Sequence, residues 1–161
     1  MRHLIAILLG VLVVAGSAAE AAADKARTPL AVVVAKGSKI TGLSRADLRR
    51  CFTGTPVTSG GSRLIPFNYA PGSAERTAFD RGVLGMSPDE AGRFWIDRKV
   101  RGQSSAPRTL PSAAYVVKVV AKFPGAISYV PADQVTADVK VIAIDGLRPG
   151  DAGYSPTLGG E

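Results

Sequence analysis

Histidine, cysteine and tryptophan each occur once in the 161-residue sequence. The histidine, His3, lies in an N-terminal segment that we expect to be removed, and Cys51 has no second cysteine with which to form a disulfide. The mature chain therefore lacks the residues of a Ser-His-Asp triad, a Cys-His pair and a histidine metal site. A Ser–Lys or carboxylate mechanism remains open, but no spacing indicates one. We expect no enzymatic activity, no metal and no cofactor.

Aromatic residues are also scarce, at 6% of the sequence, which is too few for a platform on which bases stack. The net charge is +7, but the cations are dispersed, apart from Arg49-Arg50 and the group at residues 98–101. We therefore expect no nucleic-acid partner. The charge is compatible with small anions, acidic polymers or membrane surfaces.

Residues 1–23 predict a secretory signal peptide. Arg2 and His3 precede an apolar run at residues 4–15, which is too short to span a bilayer comfortably, and small residues follow it. An uncleaved N-terminal anchor is the alternative. With cleavage after Ala23 we expect a periplasmic or secreted protein that has no membrane span.

The remaining pattern predicts one α/β domain at residues 30–145, after a flexible lead-in at 24–29 and before a loose tail at 146–161. The continuous apolar run at 30–34 is typical of a strand that is buried on both faces. Strands alternate with helices, which indicates a mostly parallel central sheet flanked by helices. The other predicted strands are residues 63–67, 126–130 and 139–144, and the favoured helix N-caps are Ser44, Ser73, Ser87 and Ser112.

Two side chains have alternative interpretations. Cys51 is interpreted as a small buried hydrophobe, the usual state of a free cysteine. Its neighbours Arg49 and Arg50 would lower its pKa if it were instead a reactive thiol. Trp95 is interpreted as a core anchor rather than a ligand platform, because a tryptophan buries a large area.

The candidate site lies where a strand turns into a helix. The turn contains Pro71 and Gly72, and a helix that starts at the carboxyl end of a strand has unpaired N–H groups and a positive dipole end that can hold an anion. The predicted ligand-binding residues are Gly72, Ser73, Ala74, Glu75 and Arg76. Arg76 would supply a guanidinium fork for an oxyanion. The alternative is that Ser73 and Glu75 only cap the helix and that Arg76 is solvated.

The order of these motifs resembles the periplasmic substrate-binding proteins of phosphate ABC transporters (PstS-like proteins), specifically their short single-lobe relatives. The resemblance covers roughly residues 30–144 and implies a single lobe of the type II periplasmic-binding-protein fold. It also implies phosphate or a related oxyanion as ligand and a transporter or sensor as partner. The matching pieces are residues 43–54, Gly72-Ser73 with Arg76 and Phe79, residues 83–95, Gly102 with Pro107, and residues 124–130.

In the family the turn reads Arg-x-Asp-x-Ser-Gly-Thr. Ser73 is in place, while Tyr69, Pro71, Ala74 and Glu75 occupy the other four positions. Two functions remain open. The first is an exported solute-binding domain for phosphate or a related oxyanion, which would bind weakly alone because a single open lobe offers few contacts. The alternative is a non-transport envelope interaction module that kept the fold but lost the ligand site, docking on an envelope protein or anionic polymer.

Overall fold

The computed structural model describes residues 27–103 and 105–158. The predicted signal peptide and the start of the lead-in lie outside the described residues. In these ranges no helix is long and apolar enough to cross a membrane. The strands there are β1 (Leu30–Ala35), β2 (Gly42–Leu43), β3 (Thr58–Ser59), β4 (Ser62–Arg63), β5 (Ile65–Tyr69), β6 (Arg108–Leu110), β7 (Ala126–Pro131), β8 (Val139–Val141) and β9 (Ala143–Ile144). The α-helices are α1 (Arg45–Phe52), α2 (Ala74–Phe79), α3 (Pro88–Val100) and α4 (Ala113–Lys122).

The central sheet has the strand order β6-β5-β7-β1-β8. β5 runs parallel to β6 and β7, whereas β1 is antiparallel to both β7 and β8. Four of the five strands therefore share one direction, and only β1 is reversed. The predicted α/β fold with a central sheet flanked by helices is confirmed, and the sheet is mixed because both pairs that involve β1 are antiparallel.

The apolar run of β1 explains its central place. Residues 30–34 are at most 1% exposed, and both edges of the strand are paired, so its backbone polar groups are satisfied without water. Beside it Phe79 stacks on Tyr129 with the ring centroids 3.9 Å apart, and Phe52 lies 4.6 Å from Phe79. These aromatic rings connect the helices to the sheet.

The four predicted helix starts are correct. In each case the serine side chain accepts a hydrogen bond from the backbone amide three residues later. Ser87 also forms the complete capping box with Glu90. After α2 the chain continues through a π-helical turn, Asp80–Leu84, which ends at Gly85 with a φ of 65°.

The strand predictions need three corrections. The second strand occupies Ile65–Tyr69 rather than residues 63–67. β6 was not among the predicted strands, because its three residues are too few to show a periodic pattern. The predicted strand 139–144 divides in two: β8 joins the central sheet, while β9 pairs in parallel with β2.

The prediction of a loose C-terminal tail is wrong for the described residues up to 158. Tyr154 is 8% exposed, and its hydroxyl donates to the Leu30 carbonyl oxygen over 2.7 Å. The Leu30 amide donates to the Pro156 carbonyl, and the Leu158 amide donates to the Thr28 carbonyl. One buried aromatic side chain and backbone pairing hold this segment, which its low apolar content did not reveal.

The docked tail predicts different effects for two helical glycines. A Cβ on Gly82 would lie 2.9 Å from the Pro156 Cα, whereas a Cβ on Gly92 would have no neighbour within 4 Å. We expect Gly82→Ala to lower the free energy of unfolding by about 1–3 kcal/mol through overpacking. Gly92→Ala should raise it by up to about 1 kcal/mol, because alanine favours the helix. Urea unfolding measures both, and equal effects would contradict the docked tail.

Candidate functional site

The turn between β5 and α2 has the predicted geometry. Gly72 has a φ of 86°, a conformation that suits glycine, and the next residue begins the helix cap. The Ser73 Oγ accepts a hydrogen bond from the Arg76 amide over 3.2 Å, and the Ser73 carbonyl accepts one from the Thr77 amide. Ser73 is therefore committed to capping, which agrees with one part of the alternative interpretation.

The cap leaves two amides of the first helical turn open. Among the described residues, the backbone N–H groups of Ala74 and Glu75 have no hydrogen-bond acceptor, and Ala74 is exposed. Such groups are the donors that a helix N-terminus offers to an anion. The half-buried Glu75 places a carboxylate in the same turn. Burial raises the pKa of the Tyr69 hydroxyl, and the negative charge of Glu75 adds to that rise.

The Arg76 side chain is buried and its guanidinium is already paired, so it is neither free for a ligand nor solvated. It is only 6% exposed, and its Nε donates to Asp80 Oδ2 over 2.6 Å. Its Nη1 makes a longer contact of 3.4 Å with the Tyr69 carbonyl. A charged side chain buried to this extent needs a partner, and Asp80 supplies it one helical turn later.

Asn68, Tyr69, Arg76, Asp80 and Tyr129 form a buried polar cluster. Each is at most 6% exposed. The Tyr129 hydroxyl donates to Asn68 Oδ1, which also accepts the Tyr69 amide over 3.0 Å. Burial raises the pKa of both tyrosine hydroxyls, so both stay protonated and neutral at physiological pH.

This cluster contains buried polar atoms that no described residue satisfies. They are Asp80 Oδ1, the Tyr69 hydroxyl and Asn68 Nδ2. Desolvation raises the pKa of the Asp80 carboxyl, and the Arg76 charge opposes that rise. Because unsatisfied buried polar groups are rare in folded proteins, these atoms indicate a place where a solute or water binds.

A cavity of about 190 Å³, called here the site cavity, lies against this cluster. It has room for a few water molecules or one small solute. Arg76 and Asp80 reach its wall from the cluster, and Gly72 reaches it from the turn. Ser73, Ala74 and Glu75 belong to the same turn but are not part of the wall. The lining residues are Pro71, Gly72, Arg76, Thr77, Asp80, Pro88, Ala91, Gly92, Trp95, Ala106, Pro107 and Thr109.

Trp95 lines the site cavity instead of anchoring the core, so that interpretation is wrong. α3 buries only Ala91, and Val100 is 81% exposed. Trp95 is half-buried and packs edge-on against Phe94, with the ring centroids 5.0 Å apart. Sequence reasoning also missed Asp80, although its spacing of four residues from Arg76 was a visible signal.

Cys51 lies away from the site cavity and is 3% exposed. Burial raises the pKa of its thiol to about 12, and the exposed Arg49 and Arg50 do not offset that rise. The interpretation of Cys51 as a buried hydrophobe is confirmed. In the described ranges no group of three or more His, Cys, Asp or Glu side chains is placed to hold a metal ion.

Comparison with family models and with curated proteins finds no match. Among solved structures, the chain is similar to an ABC-type phosphate transport receptor from Vibrio cholerae (TM-score 0.60, 17% identity, 77% of this chain and 49% of that one). It is also similar to PstS from Borrelia burgdorferi (TM-score 0.59, 14% identity, 77% of this chain and 50% of that one). A possible phosphate binding protein from Planctomyces limnophilus matches as well (TM-score 0.54, 15% identity, 81% of this chain and 49% of that one).

The chain thus spans about half the length of these structures. At such low identity the likeness shows the fold alone. The fold is that of one half of a phosphate-receptor chain, which confirms the resemblance seen in the sequence at the level of architecture.

The buried ion pair predicts a large difference between two matched substitutions. Asp80→Asn leaves Arg76 buried without a counter-charge, and we expect it to lower the free energy of unfolding by about 3–5 kcal/mol. Asp97→Asn breaks a pair of the same spacing with Arg101, but there the side chains are 57% and 66% exposed. That change should cost at most about 0.5 kcal/mol. Urea unfolding of both variants measures the difference, and similar losses would contradict the burial of Arg76.

The raised pKa of Cys51 predicts that the folded protein resists thiol reagents. At pH 8 a thiol with a pKa of about 12 is almost entirely protonated, and it is also shielded from solvent. We expect a chromogenic disulfide reagent to label Cys51 at the rate at which the protein unfolds. The chain in urea, which should react within the mixing time, is the control. Fast labelling of the folded protein would restore the reactive-thiol alternative.

Proposed function

We propose that this protein is an exported solute-binding domain for phosphate or a related small oxyanion, associated with an ABC transporter or a sensor. In this proposal residues 1–23 are a cleaved signal peptide and the domain works in the periplasm or outside the cell. The ligand occupies the site cavity and the turn from Gly72 to Arg76. The observation that carries the proposal is that Arg76 and Asp80, buried together, form part of a cavity wall. The open amides of Ala74 and Glu75 belong to the turn whose residue Gly72 reaches the same wall.

The electrostatics of the wall favour an oxyanion that still carries a proton. The Arg76 guanidinium attracts negative charge, and the open amides add donors. Asp80 Oδ1 is an acceptor without a donor among the described residues. An anion with an O–H group, such as hydrogen phosphate, satisfies that oxygen, whereas a fully deprotonated anion brings a second negative charge beside it.

The affinity of this domain alone is low. Asp80 already neutralises much of the Arg76 charge, so the ligand gains two or three charge-assisted hydrogen bonds of about 1.5–3 kcal/mol each. Association costs at least about 4 kcal/mol, which leaves a dissociation constant in the millimolar range or slightly below it. Tight capture therefore requires a second surface. In this proposal that surface comes from another chain or a partner protein.

The second candidate is an envelope interaction module that has lost its ligand. Two observations favour it. The Arg76 fork is occupied by Asp80. The Glu75 carboxylate lies in the first helical turn, where the helix dipole stabilises a negative charge by about 0.3–1 kcal/mol and where it competes with an incoming anion.

Trp95 provides the experiment that separates the two candidates. It is the single tryptophan of the sequence and lines the site cavity, so its fluorescence reports occupancy directly. We expect phosphate to change the emission with a half-saturation in the millimolar range at constant ionic strength. If phosphate changes neither the Trp95 emission nor the amide chemical shifts of residues 73–76 in NMR spectra, the interaction module is favoured. Submicromolar binding would contradict the weak single-lobe site.

A charge variant tests whether the turn takes part. Glu75→Gln removes the competing carboxylate, and we expect it to tighten phosphate binding by about two- to fivefold, equivalent to 0.3–1 kcal/mol. Asp138→Asn changes the net charge equally but is exposed and outside the site cavity, so it should leave the affinity unchanged. Equal tightening in both variants would mean that only net charge matters and would remove the turn from the site.

A further inference from the structure

The end of the sheet opposite the site cavity carries a concentration of positive charge. β5 begins there at Ile65 and ends at Tyr69, beside the cavity. The surface at this end is called here the basic end, and it is built from the turn at residues 35–40, the β3–β4 hairpin and the end of α4 with the turn that follows it. Its cations are Lys36, Lys39, Arg63, Lys122 and Lys140.

Several contacts bring these segments together. A cavity of about 540 Å³ is lined by Lys39 from the first turn, Ser62 from the hairpin and Lys122 from α4. The Lys140 ammonium donates to the carbonyl of Ser38. Next to α4, a side chain at Gly125 would clash with the Arg63 carbonyl, so the hairpin and this turn are in direct contact.

These charges are not compensated locally. Residues 35–40, 58–65 and 121–126 contain no aspartate or glutamate. The ion pairs formed within the described ranges involve Arg45, Arg50, Arg76 and Arg101, which all lie elsewhere. Asp138 shares a neighbouring groove with Lys118 and Lys122, but it forms no ion pair there. The basic end therefore presents a net positive face to solvent.

Two large apolar side chains are exposed beside the cations. Phe123 is 56% exposed and Ile65 is 48% exposed. The Ile65 amide donates to the Gly125 carbonyl over 2.8 Å, so the two apolar residues lie at the same end of the molecule. Phe123 follows Lys122 directly in the sequence, at the end of α4.

We propose that the basic end docks the protein on an anionic lipid surface. Lysines near anionic headgroups combined with aromatic and aliphatic side chains at the boundary are the chemistry of interfacial membrane binding. An acidic polymer would attract the cations but would give Phe123 and Ile65 no apolar phase to enter. Docked in this way, the protein turns the site cavity away from the membrane. The proposal does not depend on the proposed oxyanion function, since the two surfaces share no residue.

Vesicle sedimentation with matched charge variants tests the proposal. We expect the full chain to bind vesicles of equal parts phosphatidylglycerol and phosphatidylcholine more tightly than vesicles of phosphatidylcholine alone, and to lose the difference at high salt. The double variant Lys39→Gln/Lys122→Gln should bind the anionic vesicles about 25-fold more weakly, since each cation contributes about fivefold. Arg93→Gln/Lys99→Gln on α3 removes the same charge elsewhere and should change binding little.

A second pair of variants tests the contribution of the apolar side chains to vesicle binding. Phe123→Ser should weaken binding to the anionic vesicles several-fold, whereas Val100→Ser, at a residue that is 81% exposed on α3, should not. The proposal is overturned if the two double charge variants lose the same affinity for anionic vesicles, or if the unmodified chain binds anionic and phosphatidylcholine vesicles equally well. It also fails if Phe123→Ser has no effect while the lysine variant loses retention on an acidic polymer column, because a polyanion would then be the partner.

Discussion

The reversed strand β1 is the constraint on which the rest of the structure depends. It lies between β7 and β8, is hydrogen-bonded to both strands, and is buried on both faces. Its start also receives the C-terminal segment, through the Leu30 amide and carbonyl. Because β7 is fixed by β1 and β5 is fixed by β7, the position of the turn after β5 follows from this one strand. The candidate site is thus placed by the core of the sheet rather than by its own contacts.

The features of the fold that the sequence predicted are local ones. An uninterrupted apolar run marks β1, and a serine followed by an available amide marks each helix start, because both depend on residues within one or two turns of each other. β6 and the docked tail were missed because their partners are distant in sequence. β6 is held by pairing with β5, as in Asn68 with Thr109, and Tyr154 binds Leu30.

In the candidate site, too, the local features were predictable from the sequence and the features that depend on tertiary packing were not. The turn, the cap and the helix were predictable, since Gly72 and Ser73 have residue-specific backbone preferences. The burial of Arg76 was not, because an arginine is normally solvated and only the packing of α2 on the sheet excludes water from it. Once Arg76 is buried, its positive charge requires a negative partner, and Asp80 supplies it. Trp95 was predicted to be a core anchor, but α3 makes too little contact with the core to bury its ring.

The pairing of the C-terminal segment with the start of β1 brings the two ends of the described domain side by side. Thr28 and Leu158 are joined by a backbone hydrogen bond, and Pro29 pairs with Thr157. A short linker between these positions gives a circular permutant without stretching the fold. Leu30 pairs with Pro131, the last residue of β7, so both ends leave the sheet at the edge where the site cavity lies. A tether or second domain fused directly at Thr28 or Leu158 therefore emerges near the cavity and leaves the opposite end unobstructed.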